Sequence, residues 1–339
     1  MPAEWEPHEA TWLVWPHNPN TWPGMLAEIP PIFSQMAAAL SQGEQVCILI
    51  KDESVLESAT RLLLDCDADL NQIEFIPWPS NDSWIRDSGP LFVRRQVEGQ
   101  IQLAVTDWQF NMWGGKYPPW DLDNAIPDKV ARKLALPRFK QALVMEGGSL
   151  DVNDQGVLLT TQSCLLNPNR NPSLSQEQIE QKLKDVLGVQ QVLWLGEGIV
   201  GDDTDGHIDD LARFVNTSVI VCVLEQDASD PNHGLTQDNF KLLQRMYDPA
   251  GKPFNIVPLP MPKAVAWDGQ RVPASYANFY IGNKVVLLPV FDDPQDARAR
   301  AILQEHFPTR KVVAIPSRKL VWGLGACHCL TMQQPATDT

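Results

Sequence analysis

The chain has 339 residues, of which 44% are hydrophobic and 20% charged, a globular composition with ample length for a buried core. Its net charge is −15, from 42 acidic and 27 basic residues, and no Lys/Arg cluster offers a footprint for nucleic acid. No apolar run approaches 18 residues, so no membrane span is expected.

The opening MPAEWEPHEATW has neither the basic region nor the apolar stretch of a secretory signal, which predicts a cytosolic (cytoplasmic) protein. In that setting the six cysteines, at 47, 66, 164, 222, 327 and 329, are read as reduced thiols, most of them core filler. The 12 tryptophans cluster in loop contexts such as WPHNPNTWPG, PWPSNDSW and NMWGGKYPPWD. There they either pin loops to the body or wall a pocket for an organic cation.

Taken in chain order, the pattern alternates helices with short β-rich runs. A helix is expected over 30–43, then strands at 45–50, 73–76, 102–108, 142–145 and 156–161. A helix over 173–188 has Ser175 as N-cap, Gln178 completing a capping box, and Gly188 as its stop. Strands follow at 191–195 and 218–224, a helix at 236–247, and strands at 255–259, 277–281 and 284–290. A helix over 293–307 is expected to start at Asp293 as N-cap with Pro294 at its first position, before a last strand at 311–316. No composition shift divides the chain, which reads as one mixed α/β domain over 1–339. The first strand runs into KDESV without a glycine-rich phosphate loop, so nucleotide binding is not expected.

Four segments concentrate chemistry. NDSWIRDSGP (81–90) sets Asp82 and Asp87 around Trp84 and Arg86. It reads either as a solvated loop with an internal Arg–Asp pair or as a carboxylate beside an aromatic wall, suited to a guanidinium or amine. EGGS (146–149) puts Glu146 at a strand end with two glycines behind it, an ordinary turn or the mouth of a site. GDDTDGHIDD (201–210) looks like a calcium loop, but aligning Gly206 with the sixth position of an EF-hand puts Gly201 and Ala212 where acids are required. What remains is His207 and Asp209 at i, i+2, sharing one face if the segment enters a strand: a base with its carboxylate, or half of a metal site. GACHCLT (325–331) packs Cys327, His328 and Cys329 together. A metal there would need distant partners, because CxC is a poor zinc spacing with no CxxC or HExxH beside it. The other readings are a reactive thiol and plain packing.

In this order the four segments, with PAEWEPHEATWLVWP (2–16), DWQFNMWGGKYPPWDLDNAIP (107–127), EGGSLDVNDQGVLLTTQSCLLNPNRNP (146–172) and ASYANFYIGN (274–283), resemble the agmatine deiminase / bacterial peptidyl-arginine deiminase family over nearly the whole chain. The resemblance implies a five-bladed pseudo-symmetric α/β propeller, the pentein fold of the guanidine-modifying enzymes. It implies hydrolysis of a guanidinium to a ureido group with release of ammonia, without metal or organic cofactor. Agmatine is the leading substrate, peptidyl-arginine the alternative, and a non-catalytic guanidine- or polyamine-binding protein the rival from another class. Carried over motif by motif, Cys329 resembles the nucleophile, His207 the general acid/base, Asp87 and Asp209 the carboxylates that grip the guanidinium, and Glu146 and Trp84 further pocket residues. A homodimer is also implied. The sequence departs from the family where Leu324 and Ala326 interrupt the glycine run and where Cys327 replaces the usual hydrophobic residue. Loop 107–123, with Asp107, Trp113, Asp121 and Asp123, is the expected contact for the distal amine. Cys327 is expected to be packing.

Overall fold

The computed structural model describes residues 1–337. Its strands are numbered in chain order. β1 (His8–Val14), β2 (Gln45–Leu49) and β3 (Ile73–Ile76) run parallel, with the helix Ile29–Ser41 crossing from β1 to β2. β4 (Leu91–Val97) is antiparallel to β5 (Gln100–Gln109), which is parallel to β6 (Arg138–Val144). The same pattern recurs in β7 (Asp151–Val152), β8 (Val157–Thr161) and β9 (Gln191–Leu195), and in β10 (Ala212–Asn216), β11 (Val219–Leu224) and β12 (Asn255–Pro260). After a hairpin of β13 (Ala266–Trp267) and β14 (Gln270–Arg271), it recurs in β15 (Tyr280–Ile281), β16 (Val285–Val290) and β17 (Lys311–Pro316). β18 (Met332–Pro335) then pairs antiparallel with β1.

Each unit is therefore a tight antiparallel pair followed by a helical crossover to a parallel third strand, as parallel pairing requires. The helices Ile126–Lys133, Gln176–Leu187, Asn232–Leu243 and Asp296–His306 make the crossovers of the later units. In the first unit β18 takes the place of the inner strand and β1 that of the middle one, so the two ends of the chain close a ring of five units. This is the five-bladed α/β propeller. No helix among the described residues is long and apolar enough to cross a membrane.

Local sequence explains the elements. Ser175 and Gln178 cap Gln176–Leu187 reciprocally, and Gly188 ends it at φ 70°, where a side chain would be strained. Its buried face, Ile179, Leu183 and Leu187, packs with Leu158 and Trp194 from the sheet beneath. Two helix starts differ from the sequence expectation. Asp293 does not cap the last helix, which begins at Asp296: Asp293 instead accepts the Gln295 N–H at 2.8 Å in its own turn. The helix expected over 236–247 begins four residues earlier, at Asn232. Strand β1 carries no alternating pattern because it is buried on both faces.

The middle of the ring is polar. Glu4, near the chain start, takes hydrogen bonds from Arg213 of β10 (2.9 Å), the Ile281 N–H of β15 (2.9 Å) and Arg86 just ahead of β4 (3.2 Å). Arg213 also bonds Asp151 of β7, and Arg86 bonds Gln333 of β18. The inner strands of all five units thus meet in one buried knot. Arg86 belongs to that knot, and its recorded partners lie outside NDSWIRDSGP; this removes the internal Arg–Asp pair as an account of the segment.

Candidate active site

Asp87 lies just before β4, Glu146 just before β7, His207 and Asp209 just before β10, Asn278 just before β15, and Cys329 just before β18. The pseudo-symmetry therefore delivers one polar segment per unit to the same end of the ring. Cys329, Asp87 and Trp84 line a cavity of about 820 Å³, together with Trp113, Gly323 and Gly325.

Close approach makes the glycines necessary. A Cβ on Gly148 would stand 2.5 Å from His207 Nδ1 and 2.7 Å from Asp87 Oδ1. The Gly148 N–H in turn donates to Asp87 Oδ1 at 2.9 Å. Gly325 has the Trp84 ring 2.5 Å and the Cys329 Cβ 3.0 Å from where its own Cβ would be. Between Gly323 and Gly325, Leu324 holds φ 69°, the left-handed region a glycine would occupy without strain.

Asp87 is fixed on its other oxygen by the Trp113 indole N–H, at 3.0 Å. His207 faces Asp87 through Nδ1 at 3.7 Å and Glu146 through Nε2 at 3.9 Å, ion-pair distances too long for hydrogen bonds. Both ring nitrogens of His207, Glu146 Oε2 and Asp209 Oδ1 are buried with no hydrogen-bond partner among the described residues. His207 and Asp209 do not sit in a strand, as their spacing suggested. His207 precedes a short 3₁₀ turn, Ile208–Asp210, that contains Asp209. Glu146 Oε1 accepts from Arg170 Nε at 2.7 Å. Cys329 Sγ lies 3.7 Å from Asp209 Oδ2 and accepts a hydrogen bond from Asn278 Nδ2 at 3.1 Å.

Burial sets the electrostatics, with neighbours deciding the direction. Burial pushes the Cys329 thiol well above its ordinary pKa, and Asp209, Asp210 and Asp87 push it further. Asp87 is raised to about 6 by burial, reinforced by Asp209 and Glu146 against the pull of His207. Burial alone would lower His207, but Asp87, Cys164 and Glu146 hold it well above its usual value. Burial alone would raise Asp209, but the ring of His328 beside it keeps it low. Three ionised or ionisable acids therefore surround one protonatable base and one thiol.

The model of the Porphyromonas-type peptidyl-arginine deiminase family matches residues 1–335. The chain belongs to this family. Among curated relatives, the agmatine deiminase of Stutzerimonas stutzeri is 38% identical over 359 aligned positions, covering 99% of this chain and 95% of that protein. Among solved structures, an Enterococcus faecalis agmatine deiminase captured catalysing its reaction is 32% identical with a TM-score of 0.91, covering 99% of this chain and 96% of that one. A cysteine-to-serine variant of the C. jejuni agmatine deiminase with substrate bound is 31% identical with a TM-score of 0.87, at the same two coverages. A remote amidinotransferase from Microseira wollei, 10% identical with a TM-score of 0.51 and covering 100% of this chain and 98% of that one, shares the fold alone.

In this deiminase-family chain the six sequence-predicted site residues, Cys329, His207, Asp87, Asp209, Glu146 and Trp84, are brought together. The expected distal-amine loop 107–123 reaches the cavity through Met112, Trp113, Lys116, Tyr117, Pro118 and Pro119, but its acids do not: Asp107 pairs with Arg138, Asp123 caps the Asn81–Asp82 turn, and Asp121 is exposed. Glu146, Cys164 and His207 hold donor atoms within 4.8 Å of one another, a spacing open to a metal ion. Glu146 is already engaged by Arg170, however, and the fixed charge of that guanidinium beside Cys164 opposes a second cation. Asn278, Arg170 and Trp113 touch the site directly. Asn278 and Arg170 lie in ASYANFYIGN and NPNRNP, segments that carried the resemblance without a role being attached to these two side chains.

Proposed function

We propose that the protein hydrolyses the guanidinium of agmatine to N-carbamoylputrescine and ammonia through a covalent cysteine intermediate. The observation that carries this reading is the set of buried acceptor atoms without partners, Glu146 Oε2 and Asp209 Oδ1, placed with Asp87 around His207 and Cys329. A guanidinium is planar, always charged and carries only donors, so it answers such a set. The relatives named agmatine deiminase support agmatine as the particular guanidine.

Asp87 and Asp209 hold the guanidinium, and Trp84 and Trp113 wall it, which removes rotational freedom before the chemistry begins. The Cys329 thiolate attacks the central carbon, forming a C–S bond and a tetrahedral adduct. Protonated His207 gives its proton to the leaving amine, and the C–N bond breaks to release ammonia. An S-linked amidino-thioether remains. His207, now neutral, takes a proton from water as the oxygen adds to the same carbon. Collapse expels the thiolate and leaves the ureido product. In the free enzyme three acids oppose thiolate formation. A bound cation offsets them, so substrate itself promotes its nucleophile.

A ureido assay on agmatine, arginine and a blocked arginine peptide tests the reading. Turnover of agmatine alone is expected. Preference for the peptide would replace it with a peptidyl-arginine deiminase, and tight binding without turnover with a guanidine-binding protein. The reading includes a cytosolic enzyme, supported by six cysteines all present as free thiols, and a homodimer, which a native mass measurement tests.

A further inference from the structure

His328 sits beside the proposed nucleophile yet does not face the cavity; it is 1% exposed. Its Nδ1 lies 2.7 Å from Asp209 Oδ2 and its Nε2 lies 2.8 Å from Glu4 Oε2. Its backbone N–H donates to Asn278 Oδ1 at 3.0 Å, so the ring has a fixed origin. Ionised carboxylates only accept, so a ring between two of them serves each as a donor through one nitrogen. Both carboxylates are held in that form. Burial alone would raise Glu4, but Arg213, His328 and Arg86 keep it well below the usual carboxylate range, and Asp209 is likewise lowered.

We propose that Glu4, in the first turn of the chain, is a positioning residue that acts through His328 to fix the Asp209 carboxylate for the guanidinium. Asp209 Oδ2 is occupied by the imidazole, which leaves Oδ1, buried and without a partner, free to accept from the guanidinium. The orientation of that free oxygen depends on the ring, and the ring's on Glu4. Glu4 is itself immobilised by Arg213, Arg86 and the Ile281 N–H, which belong to three different units of the propeller. Closure of the ring around Glu4 is thereby coupled to the geometry of the site. A polar group held on both sides in this way keeps one orientation without being re-formed on each encounter with substrate.

The inference rests on Asp209 gripping the guanidinium, and the test separates the two. The decisive variant is Glu4→Gln, which keeps an acceptor for Arg213 and Ile281 but replaces the oxygen that meets His328 Nε2 and Arg86 with an amide N–H. Histidine side-chain ¹⁵N spectra of the full-length protein are expected to show the His328 Nε2 signal shifted in the variant as its contact with Glu4 is lost. The KM for agmatine is expected to rise about 10- to 100-fold with kcat changed far less, the scale of losing a well-aligned hydrogen bond to a charged group. His328→Asn, which leaves the Glu4–arginine contacts intact, is expected to give the same KM rise and decides the matter should Glu4→Gln fail to fold. An unchanged His328 Nε2 signal, or an activity loss confined to kcat and matched by a fall in Tm, would overturn the proposal. Asp209→Asn is the control: if it turns over agmatine normally, the error lies in the reading of the site, whatever Glu4 does.

Discussion

Cys329 Sγ stands 3.7 Å from Asp209 Oδ2, a thiol set against a carboxylate with both buried. That contact opposes thiolate formation while the cavity holds no cation, and it favours the cation that reverses the penalty. Asp209→Asn is therefore expected to move two properties in opposite directions. Agmatine turnover should fall by orders of magnitude, because one grip on the guanidinium is lost. The rate of alkylation at Cys329 by iodoacetamide, followed by peptide mass mapping near neutral pH, should rise. Slower alkylation in the variant would show that Asp209 does not raise the thiol.

Asn278 works in the other direction. Its Nδ2 donates to Cys329 Sγ at 3.1 Å, and a donor stabilises the thiolate over the thiol. Asn278→Ala should shift the pH midpoint of Cys329 alkylation upward by about one to two units, the equivalent of a hydrogen bond to a charged group. The loss should appear in kcat, because the bond strengthens as charge develops on sulfur. An unchanged alkylation midpoint would mean that the contact only positions the main chain of 328–329, to which Asn278 Oδ1 also bonds.

Gly148 shows why the EGGS segment has its composition. Adding one methyl group places carbon 2.5 Å from His207 Nδ1 and 2.7 Å from Asp87 Oδ1, and both side chains are buried. Gly148→Ala should cost about 1–3 kcal/mol of stability by overpacking and reduce turnover far more than that stability loss accounts for. Thermal unfolding and kcat measured on the same preparation check this. Near-normal turnover would require the site to be looser than these distances imply.

The two cysteines of the C-terminal turn should separate cleanly. Cys327 is fully buried, and burial pushes its thiol up to about 12, so it stays neutral and inert near neutral pH. Cys327→Ser is expected to retain agmatine turnover and Cys329→Ser to lose it, in the same assay. Protection from mild oxidant in Cys327→Ser, with loss of activity in the wild type, would instead make Cys327 a redox partner.

Cys329, His207, Asp87, Asp209, Glu146 and Trp84 were legible because each lies in a short segment rich in acids, glycine, tryptophan, histidine or cysteine that carries the family resemblance. What holds those segments in place was far less legible. Strand β1 lacks an alternating pattern because both of its faces are buried. Strand β18, Met-Gln-Gln-Pro, has almost no β propensity; Gln333 serves Arg86 and Gln334 accepts the Trp12 N–H at 3.0 Å. Glu4 and Arg213 carry charges that composition alone assigns to the surface, yet each is buried by partners distant in sequence. Arg86 looked like the partner of an acid in its own segment, and only ring closure brings Glu4 to it. Loop 107–123 lines the cavity through Trp113, Lys116 and Tyr117, but two of its acids are taken by distant partners: Asp107 by Arg138 and Asp123 by the Asn81 turn.

Asp87 supplies a prediction in which stability and activity part company. Its folded-state pKa, raised to about 6, lies above the value of about 3.9 for an unfolded chain. The folded state therefore binds the proton more tightly, and the contribution of this group to stability declines as pH rises from about 4 through about 6. Catalysis needs the opposite form, because only ionised Asp87 offers acceptors alone and pairs its charge with the guanidinium and with His207. Wild-type kcat/KM for agmatine should accordingly rise through a pH near 6 while Asp87 costs the fold increasing stability. Asp87→Asn removes the titration. Its Tm relative to wild type should improve steadily from pH 4 to pH 7, whatever the offset at low pH from the amide it sets against Trp113 Nε1–H or Gly148 N–H, while turnover is lost throughout. A Tm difference that stays flat over that range would mean that Asp87 does not titrate there, and the acid limb of kcat/KM would then belong to another group.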